Sequence, residues 1–313
     1  MIPIFFSIDD AYAPYLAVAL RSAICHADPD RTYKAIVLYQ SLSEENRSRL
    51  SGLATKNFSI EFSPMEQGLD SITDTMSNRL RCDYFTLTIY FRLFIPRMFP
   101  QYDKAIYIDS DVVVLEDLAK LYDTDLGEAL IGACVDRSVG HVPPLVRYME
   151  EAVGIPKEEY INSGVLLMDL KKLREAQLDD HFLHLLSTYH FDCIAPDQDY
   201  INALCYGKIR YLDDGWDTMP DASVQPKEPK LIHYNLFSKP WCYDGIAYSD
   251  EFWHYAKDSG YETQIRAFKE GYTEEQKRSD SQCLEKLLQR GAQIPDQAVT
   301  FKKMFQQGVK IRL

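Results

Sequence analysis

The chain has 313 residues, 46% hydrophobic and 26% charged, ordinary usage for a protein with a packed core. Its net charge of −13 argues against non-specific nucleic-acid binding, which depends on Lys and Arg neutralising phosphates. The seven cysteines are scattered and form no Cys-x-x-Cys pair, the usage of a reduced compartment and not of a disulfide framework or zinc site.

The apolar run Ile2–Ile8 reads as a buried first strand ended by Asp9-Asp10. It has no basic flank, is too short for a signal peptide, and no later stretch nears the roughly 18 apolar residues that span a bilayer. A soluble cytoplasmic protein is expected. Residues 12–25 follow as a helix with Pro14 in the first turn, where a missing N–H costs little. Tyr33–Tyr39 is strand-like, Ser43-Glu-Glu-Asn opens a capped helix, and Phe58–Phe62 alternates as a third strand. This β-α-β-α-β order predicts a parallel sheet with helices on both faces.

Residues 84–99 read as a buried helix, and Lys104–Ile108 as a strand delivering Asp109-Ser-Asp111 to a sheet edge. Alternation with a period of two should put Asp109 and Asp111 on one face, where a divalent cation relieves their repulsion. Val112–Leu115 continues extended, and Ala129–Val135 is a strand ending at Asp136. Val165–Met168 follows Asn162-Ser-Gly164, residues 170–190 are helical, and another helix begins at Asp197. Strands are expected at Ile209–Leu212 and Leu231–Tyr234. Residues 1–260 form one domain, and 261–313 a helical C-terminal extension.

Several positions carry two readings. Asp9 stands where open α/β sheets bind ligands, yet also where an Asp caps a helix. Asp197 is either a cap or, with Gln198, a group facing a reacting centre. His233 is a metal ligand or a structural imidazole, with Lys239 six residues on able to neutralise phosphate. His181 and His184 read as a solvated helix face. The segment 301–313 holds four cations, no acid and several apolar residues. It is either a peripheral contact with the inner face of a membrane or, as favoured, a helix packing on the domain.

The ordered set Asp9-Asp-Ala-Tyr12, Tyr90-x-Arg92, Tyr107-Ile-Asp109-x-Asp111, Asn162-x-Gly164, Asp197-Gln198-Asp199 and His233-Tyr-x(4)-Lys239-Pro-Trp241 spans roughly residues 1–255. It resembles family 8 glycosyltransferases, the retaining, UDP-sugar-dependent group that includes lipopolysaccharide galactosyl- and glucosyltransferases and glycogenin. The resemblance implies a GT-A fold, a Rossmann-like, mixed but mainly parallel α/β sheet flanked by helices. It implies transfer of glucose or galactose from UDP-glucose or UDP-galactose to a glycan or glycolipid acceptor. By position, Asp109, Asp111 and His233 resemble ligands of Mn²⁺, with Mg²⁺ as substitute. Asp9 and Tyr12 resemble the uridine site, and Lys239 the diphosphate contact. Arg92, Asp109, Asp136, Asn162, Asp197 and Gln198 resemble the donor-sugar site, with Gln198 and Asp197 nearest the chemistry.

Two positions depart from the family pattern. Ala11 replaces a frequent Asn, and Leu236 a frequent Gly whose lack of a side chain lets backbone approach phosphate. Two other classes compete. A haloacid-dehalogenase-like phosphatase also carries Asp-x-Asp after a strand, but its later Gly-Asp-x-x-x-Asp is missing here. A non-catalytic UDP-sugar-binding protein would keep the same residues.

Overall fold

The computed structural model describes residues 1–65 and 87–313. Cys82 and residues 84–86 of the expected 84–99 helix lie outside them. The six described cysteines are free thiols.

Strands β1 (Ile2–Ile8), β2 (Tyr33–Tyr39) and β3 (Phe58–Pro64) pair in parallel. Helices α1 (Ala13–His26) and α2 (Glu44–Ser51) form the crossovers, α2 capped by the Ser43 side chain on Asn46 N. After a 3₁₀ turn at Leu87–Tyr90 comes α3 (Phe91–Met98), and then β4 (Lys104–Ile108) joins β1 on its other side. Next are β5 (Val112–Val114), α4 (Leu118–Tyr122), β6 (Ile131–Val135) and α5 (Pro143–Arg147). They lead to β7 (Ile161–Asp169), α6 (Leu170–Glu175), α7 (Leu178–Tyr189), α8 (Pro196–Cys205) and β8 (Ile209–Tyr211). The seven-stranded sheet runs β3-β2-β1-β4-β7-β6-β8, and only the pairings of β7 are antiparallel. A two-stranded antiparallel sheet joins β5 to β9 (Leu231–His233).

Alternation along the central strands divides the core in two. Ile4, Phe6, Ile106 and Ile108 pack on one face with α1, β5, β9 and α9 (Ser249–Ala256). Phe5, Ala105 and Tyr107 pack on the other with α3, α7 and α8. Strands buried on both faces read as continuous apolar runs, which is why β1, β2 and β4 are recognisable in the sequence.

Three elements differ from expectation. β7 begins at Ile161, so Asn162-Ser-Gly164 lies inside a strand and not before one. The helix expected over 170–190 breaks at Gln177, whose φ of +55° opens α7 separately from α6. Asp197 does not cap α8: Ala195 holds that place, and the Asp197 carboxylate turns to Ser163 instead.

The C-terminal region forms α10 (Glu262–Glu270), α11 (Glu274–Gln293) and α12 (Phe301–Gln306). Three apolar residues of the basic tail, Phe301, Met304 and Ile311, are buried while Phe305 is exposed, and Phe301 stacks on Phe191 at 4.0 Å. His181 is not simply solvated, because its Nε2 donates to the Ile311 carbonyl at 2.9 Å. No helix among the described residues is long and apolar enough to cross a membrane.

Candidate active site

A cleft of about 350 Å³ opens where β1 and β4 end and β7 begins. Because β7 runs antiparallel to β4, its first residues lie beside the last of β4, with Ile108 paired to Val165. The Asp109 amide continues the ladder by donating to the Gly164 carbonyl at 2.8 Å. Asn162, Ser163 and Gly164 therefore meet Asp109, although more than fifty positions separate them.

Asp109 and Asp111 converge, but not as alternate residues of one strand. They occupy a bend between β4 and β5, which belong to different sheets. The antiparallel pairing of β5 with β9 sets Val112 opposite His233, and Tyr234 N donates to the Asp111 carbonyl at 2.9 Å. His233 Nε2 consequently lies 3.4 Å from Asp111 Oδ1 and 3.9 Å from Asp109 Oδ2. One ligand atom from each of the three residues falls within 4.8 Å of the others. Two carboxylates and an imidazole are the donor set of a divalent cation such as Mn²⁺ or Mg²⁺, and the ring nitrogen facing them is the one not engaged by Asp217, so the residues fit such a group. Lys239 Nζ donates to Asp111 Oδ2 and to the Tyr234 carbonyl.

The opposite wall is built on Arg92, which is buried and lies over the Tyr107 ring at 4.3 Å. Its guanidinium donates to Asp109 Oδ1 at 2.8 Å, to Ser163 O and Oγ, and to Ile89 O. It also pairs with Asp197 at 3.2 Å. Asp197 accepts from Ser163 Oγ at 2.9 Å. The Gln198 amide is held at both ends: its oxygen takes Ser163 N–H at 3.2 Å, and its nitrogen donates to Asp136 Oδ2 at 3.0 Å.

Asp136 alone among the expected site residues does not line the cleft. Its oxygens accept from Ser138 N and Oγ, Asn162 Nδ2 and Gln198 Nε2, so it orients the two amides from behind. Asp9 caps the turn through Tyr12 N at 3.1 Å and also lines the cleft. The exposed Tyr12 ring packs edge-on against Tyr15, which stacks on Trp241 at 4.1 Å. Leu236 takes φ +52°, the left-handed conformation natural to Gly, so the loop keeps that backbone path with a side chain on it.

Electrostatics separate the acidic pair. Burial pushes the Asp109 carboxyl up and Arg92 only partly offsets this, with the Asp111 charge adding to the rise. Burial also acts on Asp111, but Lys239 and His233 outweigh it and hold that carboxyl well below the usual range. Burial disfavours a charged His233, yet Asp217 and Asp111 overcome it and raise the ring to about 10. For Nε2 to serve as a ligand, the ring would have to give up that proton.

Three residues escaped the sequence reading. Tyr107 donates to Asp109 Oδ1 at 2.9 Å, and the two-residue spacing along β4 was a signal that could have found it. Ser163 was the unnamed middle of Asn162-x-Gly164. Asp217, 2.9 Å from His233 Nδ1, carries no local signal, because only the fold brings it there.

Residues 3–245 match the model of a family described as Glycosyl transferase family 8. The lipopolysaccharide 1,2-glucosyltransferase of Escherichia coli is 28% identical over 185 residues, 53% of each chain. General stress protein A of Bacillus subtilis is 25% identical over 79% of this chain and 90% of its own. The crystal structure of the galactosyltransferase LgtC with donor and acceptor sugar analogs superposes with a TM-score of 0.70 at 28% identity, covering 82% of this chain and 96% of that one.

Proposed function

The chain belongs to glycosyl transferase family 8, and on that premise we propose that it is a retaining hexosyltransferase. It moves glucose or galactose from a UDP-sugar to a glycan or glycolipid acceptor. The GT-A architecture shared with LgtC agrees with the expected fold, and a transferase family removes the phosphatase alternative. The observation that carries the proposal is one cleft lined by the Asp109–Asp111–His233 cluster, Lys239, and the Asn162, Asp197 and Gln198 side chains.

In this reading Asp109, Asp111 and His233 hold a Mn²⁺ or Mg²⁺ ion, which supplies positive charge to the UDP diphosphate. Lys239, buried beside Asp111, adds a second positive charge where the leaving group's charge develops. The Tyr12–Tyr15–Trp241 stack offers its outer ring to the uracil, and Asp9 stands next to it. Arg92, already engaged by two carboxylates, fixes Asp109 and Asp197 around the donor sugar. Asn162 and Gln198, each with its amide direction set by a backbone N–H, present defined donors and acceptors to the sugar hydroxyls.

Retention then proceeds by front-face attack. Gln198 is an amide and a poor nucleophile, and the departing phosphate oxygen accepts the acceptor's proton as the new glycosidic bond forms. Were a double displacement to operate instead, Asp197, held by Arg92 and Ser163, would be its nucleophile, and a glycosyl ester trapped on it would overturn the front-face route. The testing assay is UDP release from a panel of UDP-sugars with Mn²⁺. UDP-glucose or UDP-galactose should be hydrolysed, and Asp111→Asn should lower kcat/KM at least about 100-fold. No turnover of any donor would instead leave a non-catalytic UDP-sugar binder.

A further inference from the structure

We propose that Asp217 is the positioning residue of the cation site, holding the His233 ring so that Nε2 faces Asp109 and Asp111. The inference rests on reading those three residues as cation ligands. Asp217 has no exposed side-chain surface and accepts from His233 Nδ1 at 2.9 Å through Oδ1. Its other oxygen, Oδ2, is buried without a hydrogen-bond partner among the described residues. A carboxylate taken wholly out of water and only half satisfied is costly, so a packing role explains it poorly. Among the described residues its carboxylate's polar partner is the imidazole, and a neighbouring carboxylate is what commonly fixes the tautomer and direction of a ligating histidine.

The backbone shows the same purpose. A 3₁₀ turn, Asp214–Asp217, is closed by the Asp213 side chain on Gly215 N at 3.1 Å. Thr218, the next residue, bridges β9: its N–H donates to Leu231 O at 2.9 Å and its carbonyl accepts from His233 N at 2.8 Å. Asp217 is thus fixed directly to the strand that carries His233. On another side the ring lies against Gly164, where an added Cβ would fall 2.9 Å from Nδ1. With Gly164 limiting its displacement and Asp217 holding Nδ1, Nε2 is left pointing at the two carboxylates.

The experiment is Mn²⁺ binding to the full chain without substrate, read from the free-ion electron paramagnetic resonance signal, for wild type, His233→Ala, Asp217→Ala and Asp217→Asn. Calorimetric melting is recorded beside it. Asp217→Ala should weaken Mn²⁺ binding about 10- to 100-fold, with Asn, which can still accept from Nδ1–H, in between. Asp217 variants that melt earlier but bind Mn²⁺ like wild type would make the residue merely structural and overturn the proposal. Equal binding by wild type and His233→Ala would overturn the cation-site reading itself. A second measurement needs no variant: in the Mg²⁺-loaded wild type, ring nitrogen shifts should place the His233 proton on Nδ1. A proton on Nε2 would overturn the assignment.

Discussion

Gly164→Ala tests the packing of the site most directly. A Cβ at this position would lie 2.8 Å from Asp109 Oδ2 and 2.9 Å from His233 Nδ1, with His233 Cε1 also in its way. Ordinary carbon contacts begin at about 3.5 Å, so the Asp109 carboxylate must give roughly 0.7 Å and the His233 ring, whose Cε1 is nearer still, more than that. The backbone cannot supply it easily: Gly164 N–H donates to Asn162 Oδ1 at 2.8 Å, and its carbonyl takes Asp109 N–H at 2.8 Å. The two side chains must therefore move apart, and both are proposed cation ligands. Overpacking of this kind costs about 1–3 kcal/mol. For a chain of this length that is a fall in Tm of about 2–5 °C. Misplacing reacting groups by a comparable distance costs about 100-fold in rate. Scanning calorimetry, Mn²⁺ titration and UDP release would be run beside Gly140→Ala, whose Cβ would meet nothing closer than 3.6 Å. A Gly164→Ala protein with wild-type melting, Mn²⁺ affinity and turnover would refute the packing described for His233.

Removing residues 300–313 should destabilise the fold instead of yielding a soluble enzyme released from lipid. Phe301, Met304 and Ile311 are buried, at about 1.5–3 kcal/mol each, or about 5–9 kcal/mol together; an unchanged melting curve would contradict this. The same tail carries a pH dependence through His181. Burial holds its ring below the usual histidine value, against the Ile311 carbonyl that favours the charged form. The unfolded chain therefore takes the proton first, and the contribution, complete above about pH 6.5, is lost as pH falls through the lower folded value. Urea midpoints of wild type and His181→Gln should converge between pH 8 and 5, and a pH-independent gap would disprove the assignment.

How much of the site could be read from the chain follows from where its chemistry lies. Asp109-x-Asp111, Asp197-Gln198 and His233 with Lys239 are short local patterns, and each reached the cleft. Asp136 had been placed among sugar contacts, yet its oxygens are consumed by Ser138, Asn162 and Gln198. Asp197 carried both a cap reading and a site reading, and its carboxylate went to Arg92 and Ser163 and not to the helix end. Both differences arise because a carboxylate's partners come from distant segments, about which spacing along the chain carries no information.

Local physics was enough for the strands buried on both faces, the capped helix α2, and the order of motifs that placed the chain in its family. Those properties are written in continuous apolar runs, capping residues and acidic strand ends, each a matter of a few neighbours. The direction of β7, which brings Gly164 to Asp109, was decided only by the assembled sheet. So was the bridge at Thr218 that sets Asp217 on His233. Strand direction and the approach of separate loops depend on how whole layers pack, and that information resides in the fold as a unit.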